Sequence, residues 1–130
     1  MDNRYYPGVV ADVSQLVAEL RGVFDQDYEV QTMHVATTTV VQARKSSTLR
    51  DLTGLSAALT IKITPEAGGT RVEIGLQKWL DKAAVAAVAV ILSAGLLIAL
   101  PAIGAYWQYK VTEEAWGVVE RHIAARTAKR

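Results

Sequence analysis

The chain has 130 residues, 51% of them hydrophobic, with 14 Lys and Arg against 13 Asp and Glu for a formal net charge of +1. That balance excludes the clustered basic footprint of a nucleic-acid-binding domain. There is no cysteine, which excludes disulfides and thiolate metal sites.

The first stretch carries Asp2, Asp12 and Glu19, which interrupt any apolar signal-peptide core. Arg4-Tyr5-Tyr6 reads as a short strand, separated from the next element by Pro7-Gly8. Residues 12–24 place Val13, Leu16, Val17, Leu20, Val23 and Phe24 at helical spacing on one face. Asp12 is placed to cap this helix, with Gln15 completing a capping box, and Asp25 and Asp27 mark its exit.

Residues 28–33 alternate as a half-buried strand, with Tyr28 and Val30 on one face and Glu29 and Gln31 on the other. Residues 38–45 form a second strand, with Val41 and Ala43 inward and Gln42 and Arg44 outward. His34 to Thr37 holds no Gly or Pro, so two strands and one long bent strand both fit. A polar loop occupies residues 44–54. Residues 57–64 turn Leu59, Ile61 and Ile63 inward and Thr60 and Lys62 outward. Pro65 to Gly69 supplies a hairpin connection, and residues 70–75 return with Val72 and Ile74 inward. Lys62 and Arg71 are placed to pair with Glu73, worth about 0.2–1 kcal/mol. Residues 1–77 thus read as a small α+β domain, a helix packed on a four- or five-stranded antiparallel meander. With Arg4–Tyr6 as first strand, the element order is similar to helix-grip and TBP-like arrangements.

Residues 83–106 read AAVAAVAVILSAGLLIALPAIGAY and carry no charge. At 1.5 Å per residue this run reaches roughly 35 Å, enough for a hydrocarbon core of about 30 Å. It predicts a transmembrane helix with interfacial flanks over 78–110, with Lys78, Trp79 and Lys82 at one interface and Tyr106, Trp107 and Lys110 at the other. Pro101 can kink it, and two short passes are an alternative to one. Thr112 then caps a short amphipathic helix within 111–130, which ends in a basic tail. The expected localisation is a single-pass membrane protein. Basic residues are nearly balanced on the two sides, and the folded N-terminal domain is placed in the cytoplasm.

YEVQ (28–31), VVQARK (40–45), LRDLTGLSAALTIKITPE (49–66), RVEIG (71–75) and KWLDKAA (78–84) together resemble small bacterial membrane proteins, some of which carry zinc-ribbon modules. EEAWGVVERHI (113–123) is similar to their closing amphipathic helix. The resemblance covers about two thirds of the chain and implies layout, with no assigned activity. A zinc-ribbon role does not carry over, because the cysteines are missing.

His34 and His122 lie far apart in sequence and do not make a ligand cluster. Ser46, Ser47 and Thr48 offer hydroxyls without a neighbouring base, and read as a solvated loop, a phosphorylation site or a headgroup contact. Arg44, Lys45 and Arg50 are candidates for anionic lipid headgroups. Ala86, Ala89, Ser93 and Gly95 form a small-residue surface suited to helix packing in lipid. No nucleophile–base pair, carboxylate dyad, phosphate loop or metal cluster can be drawn, and no cofactor is implied. The expected function is non-enzymatic assembly, as a homo-oligomer or as a small subunit of a membrane complex, with membrane lipid and other membrane proteins as partners. The alternative is a membrane-tethered domain binding lipid or a small ligand between helix and sheet.

Overall fold

The computed structural model describes residues 2–26, 28–45, 57–78 and 102–128. In chain order these are β1 (Asp2–Pro7), α1 (Val13–Phe24), β2 (Tyr28–Val35), β3 (Thr38–Lys45), β4 (Ala57–Glu66), β5 (Gly69–Lys78) and α2 (Ala102–Ala128). The strands form one sheet in the order β1-β5-β4-β3-β2, with every neighbouring pair antiparallel. The first strand therefore lies beside the last, and β2 to β5 run as a meander.

Period-two alternation decides the two faces. Val41 lies opposite Ile61 and Ile61 opposite Ile74, while Ala43, Leu59 and Leu76 form a parallel row. All six are buried in one core with Leu16, Leu20 and Phe24 of α1. Withdrawing each of those three large side chains from water is worth about 1.5–3 kcal/mol. Phe24 also meets the Tyr28 ring edge-on, with centroids 5.5 Å apart, which fixes the entry into β2. Val17 is partly buried, and Val23 is exposed rather than part of the packed face.

The hairpin turns are tighter than the composition suggests. β2 and β3 are joined through Ala36-Thr37, and Ala36 takes φ +53, a left-handed conformation that costs an L-residue about 1–2 kcal/mol. Pro65 and Glu66 belong to β4, so the β4–β5 link narrows to Ala67-Gly68, with Gly68 at φ +78. At Gly69 a Cβ would sit 2.5 Å from the Tyr6 carbonyl oxygen. Glycine is thus what allows β1 to lie against β5 there.

α2 corrects the expected architecture. It begins at Ala102, inside the uncharged run, and continues without a break past Lys110, Glu113 and Glu114 to Ala128. Val111, Ala115, Val118, Val119 and Ile123 follow helical spacing and are buried in the core with the sheet and α1. Thr112 is therefore inside a helix rather than at its cap. Among the described residues no helix is long and apolar enough to cross a membrane. Among the described residues the fold is α+β with two helices on one face of the sheet, and they contain neither the expected transmembrane helix over 78–110 nor a separate amphipathic helix after it. The single-pass localisation and the cytoplasmic placement of residues 1–77 rested on that spanning helix and are withdrawn with it. The physical reason is that absence of charge over residues 83–106 does not define where a helix starts. The last residues of the run join a charged helix whose apolar stripe is satisfied by protein. Residues 79–101 lie outside the described residues.

Candidate functional site

The sheet has two edges, and they are treated differently. β1 is tied down on both faces. On the helix side, Tyr6 donates a 2.6 Å hydrogen bond to the Glu120 carboxylate of α2, and Arg4 donates another at 2.8 Å. The Arg4 guanidinium also lies 4.0 Å from the centre of the buried Trp116 ring. The Tyr6 hydrogen bond, with Arg4 adding to it, holds the Glu120 carboxyl below its usual range against the opposing effect of partial burial. Burial, then the carboxylate, pushes the Tyr6 hydroxyl up. On the other face Asn3 bridges β1 to β5, donating to Glu73 at 2.9 Å and accepting from Arg71 at 2.8 Å. Arg71 donates its Nε–H to Glu66 rather than pairing with Glu73.

β2 is the opposite edge, and among the described residues no element borders its outer side. Its pairing with β3 runs one-to-one from Tyr28↔Lys45 to Val35↔Thr38, with no bulge. It holds no Pro, Lys or Arg, the residues that commonly blunt a sheet edge. Every residue of β2 except Gln31 keeps some exposure, whereas the residues of β4 from Ala58 to Ile63 are all buried. Tyr28, Val30, Thr32 and His34 share the helix-side face, and Glu29, Gln31, Met33 and Val35 the other, by their partners in β3.

The face away from the helices is polar but withdrawn from water. Gln31 donates to Gln42 at 2.8 Å, and Gln42 donates to Thr60 at 3.0 Å, a row across three strands. Gln42 and Thr60 are fully buried, and Lys62 is 4% exposed with its ammonium 3.7 Å from Glu73. Thr60 and Lys62 point away from the core as alternation requires, but alternation carries no information about what lies over that face.

His122 occupies the junction between the start of α1 and the end of α2. The Asp12 backbone N–H donates to His122 Nε2 at 3.2 Å, so Nε2 carries the lone pair and Nδ1 the proton. Nδ1–H donates to Glu19 at 3.1 Å. The expected capping box is half formed. Asp12 accepts from the Gln15 N–H, but the N–H that Gln15 would have bound is taken by His122. A histidine oriented by a carboxylate resembles a catalytic base, yet here the second ring nitrogen is already occupied by backbone. Among the described residues no group of three His, Asp or Glu side chains converges on a metal-sized point.

Of the residues singled out from sequence, Arg44 donates to Glu29 at 2.8 Å across β2 and β3. Lys45 ends β3, Lys78 ends β5, and Lys110 is an exposed position of α2. Tyr106 and Trp107 fall in the first turns of α2. Arg50, Trp79, Lys82, Ala86, Ala89, Ser93 and Gly95, with the Ser46–Thr48 hydroxyls, lie outside the described residues. His34 sits beside Thr39 at 3.2 Å. The space between α1, α2 and the sheet is occupied by Leu16, Leu20, Phe24, Ala115 and Val119. The open edge of β2 and the His122 junction escaped the sequence reading. An edge is a property of strand order, and the junction joins residues 103 and 110 positions apart. Compared with known proteins, the chain matches no protein-family model, no curated protein and no solved structure.

Proposed function

We propose that this protein works by non-enzymatic assembly, and that β2 is the strand through which it joins another chain. The observation that carries the reading is the asymmetry of the two edges. β1 carries Asp2 and Arg4 and ends in Pro7, while β2 offers eight unbulged residues with neither Pro, Lys nor Arg and with Glu29 as its one carboxylate. An undefended edge is a template for strand addition, because its outward N–H and C=O groups gain partners when another strand aligns. The paired titratable groups support the same reading, since each has a structural task. Glu120 holds β1, His122 and Glu19 hold α1, and Arg44 and Glu29 brace β2 against β3.

Met33→Lys tests this directly. Met33 lies on β2 and is partly exposed, so a lysine there can reach water while placing charge along the edge. In a native extract the wild-type chain is expected to run well above the mass of one chain, and Met33→Lys at that of one chain, with unchanged circular dichroism after purification. A wild-type chain of single-chain mass, or a Met33→Lys chain of unchanged size, overturns the proposal.

A further inference from the structure

We propose that His122 is a proton-operated latch on the start of α1, released when its ring takes up a second proton. The latch is independent of the β2 edge. Residues 8–12, between β1 and α1, are held by partners distant in sequence. The Gly8 N–H donates to the Gly68 carbonyl at 2.5 Å. The Thr70 hydroxyl of β5 donates to the Val9 carbonyl at 2.8 Å and accepts from the Ala11 N–H at 3.1 Å. Arg126 of α2 donates its Nε–H to the Val10 carbonyl at 3.1 Å, and His122 Nε2 accepts from the Asp12 N–H at 3.2 Å. Hydroxyl and guanidinium groups keep their protons throughout the range in which proteins fold. An imidazole gains one within it, and that turns an acceptor nitrogen into a donor.

Asp12 supplies both halves of the switch. With the ring neutral, its N–H is bound by Nε2 while its carboxylate caps α1, accepting from the Gln15 N–H at 3.1 Å. When Nε2 takes a proton from water, two N–H groups face each other and the bond to the Asp12 backbone is lost. The His122 ring is 3% exposed, so the new Nε2–H needs an acceptor within the protein. The Asp12 carboxylate belongs to the residue already at that nitrogen. Its turn to the ring takes it from the Gln15 N–H, so backbone tie and helix cap release together. Nδ1–H keeps its 3.1 Å bond to Glu19, and the imidazolium ends between two carboxylates. The surrounding charges agree. Among the described residues, α1 presents Glu19 and its cap Asp12, while β4 and β5 turn apolar residues such as Ile61 and Ile74 toward the helices. Arg4 of β1 is engaged by Glu120 and Trp116, Arg126 by the Val10 carbonyl, and Arg121 is exposed.

The chain has two histidines, so each ring is readable by NMR in the full-length protein as pH is lowered from about 8 to about 5. His34, beside Thr39 on β2, is the internal control. The amide resonances of Asp12 and Gln15 are expected to move with the midpoint of the His122 ring and not with that of His34. Across that midpoint, protection of the first turn of α1 against hydrogen exchange should fall roughly tenfold or more, while amides of β4 keep theirs. His122→Gln offers a carbonyl to the Asp12 N–H and an amide N–H to Glu19, with nothing to protonate. In that variant the Asp12 and Gln15 amides are expected to stay in place over the same range. The wild-type titration decides even where the variant does not fold. Asp12 and Gln15 amides that stay fixed while the His122 ring titrates overturn the latch. So does a ring that takes up no proton before the chain unfolds in acid, or a folded His122→Gln chain whose amides move as in the wild type.

Discussion

Two residues carry more of the local energetics than their types suggest. Ala36 holds a left-handed backbone in the β2–β3 turn, where glycine would be unstrained. Ala36→Gly is therefore expected to raise stability by about 0.5–1 kcal/mol, the relief of strain outweighing the added freedom of the unfolded chain. A higher urea midpoint with an unchanged slope is the reading that checks it. Glu120 is held below the usual carboxylate range in the folded state, chiefly by Tyr6 and then by Arg4. Its contribution is therefore present above the unfolded-state value and is lost as pH falls through the folded value. Glu120→Gln should lower the urea midpoint at neutral pH. That deficit should shrink on acidification, and one that stays constant with pH would rule out the carboxylate as its cause.

At the scale of elements, the helices depend on one another through His122. Replacing it by Phe keeps a ring of similar size but removes the acceptor for the Asp12 N–H. Stranding that donor costs about 1–3 kcal/mol. The loss should be local: the Asp12 amide and the first turn of α1 exchange faster, while amides in β4 follow only the global change. Much at this scale was legible beforehand. Leu16, Leu20 and Phe24 on α1, and Leu59, Ile61, Ile63, Val72 and Ile74 on β4 and β5, face the core as their spacing implies. The bounds of α2 were not legible, because an uncharged run reads the same whether lipid or protein satisfies it. Helix spacing continues through Lys110 and Glu113, and burial of Val111, Ala115 and Val119 against the sheet decides the matter.

For the whole molecule, strand addition at β2 links stability to concentration. Where β2 joins copies of the same chain, the thermal midpoint of the wild-type chain rises as the chain is concentrated, by mass action. Met33→Lys should melt at one temperature across the same range. A wild-type midpoint independent of concentration would rule out self-association and leave a different chain as the partner of β2. The same edge explains why the site was hidden from the sequence. YEVQTM (28–33) reads as a half-buried strand, and nothing within it says whether it has one neighbour or two.

The sequence by itself determined helix α1, the antiparallel strands that follow it and, Val23 apart, the inward-facing side chains it named on them. Those properties follow from periodicities of 3.6 and 2 residues, which are local. Only the tertiary structure decided that β1 lies beside β5, that His122 takes the backbone donor of Asp12, that Thr60 and Lys62 are withdrawn from water, and that β2 is the last strand of the sheet among the described residues. Each of these depends on residues distant in sequence meeting in space, and no local pattern encodes which distant partner arrives.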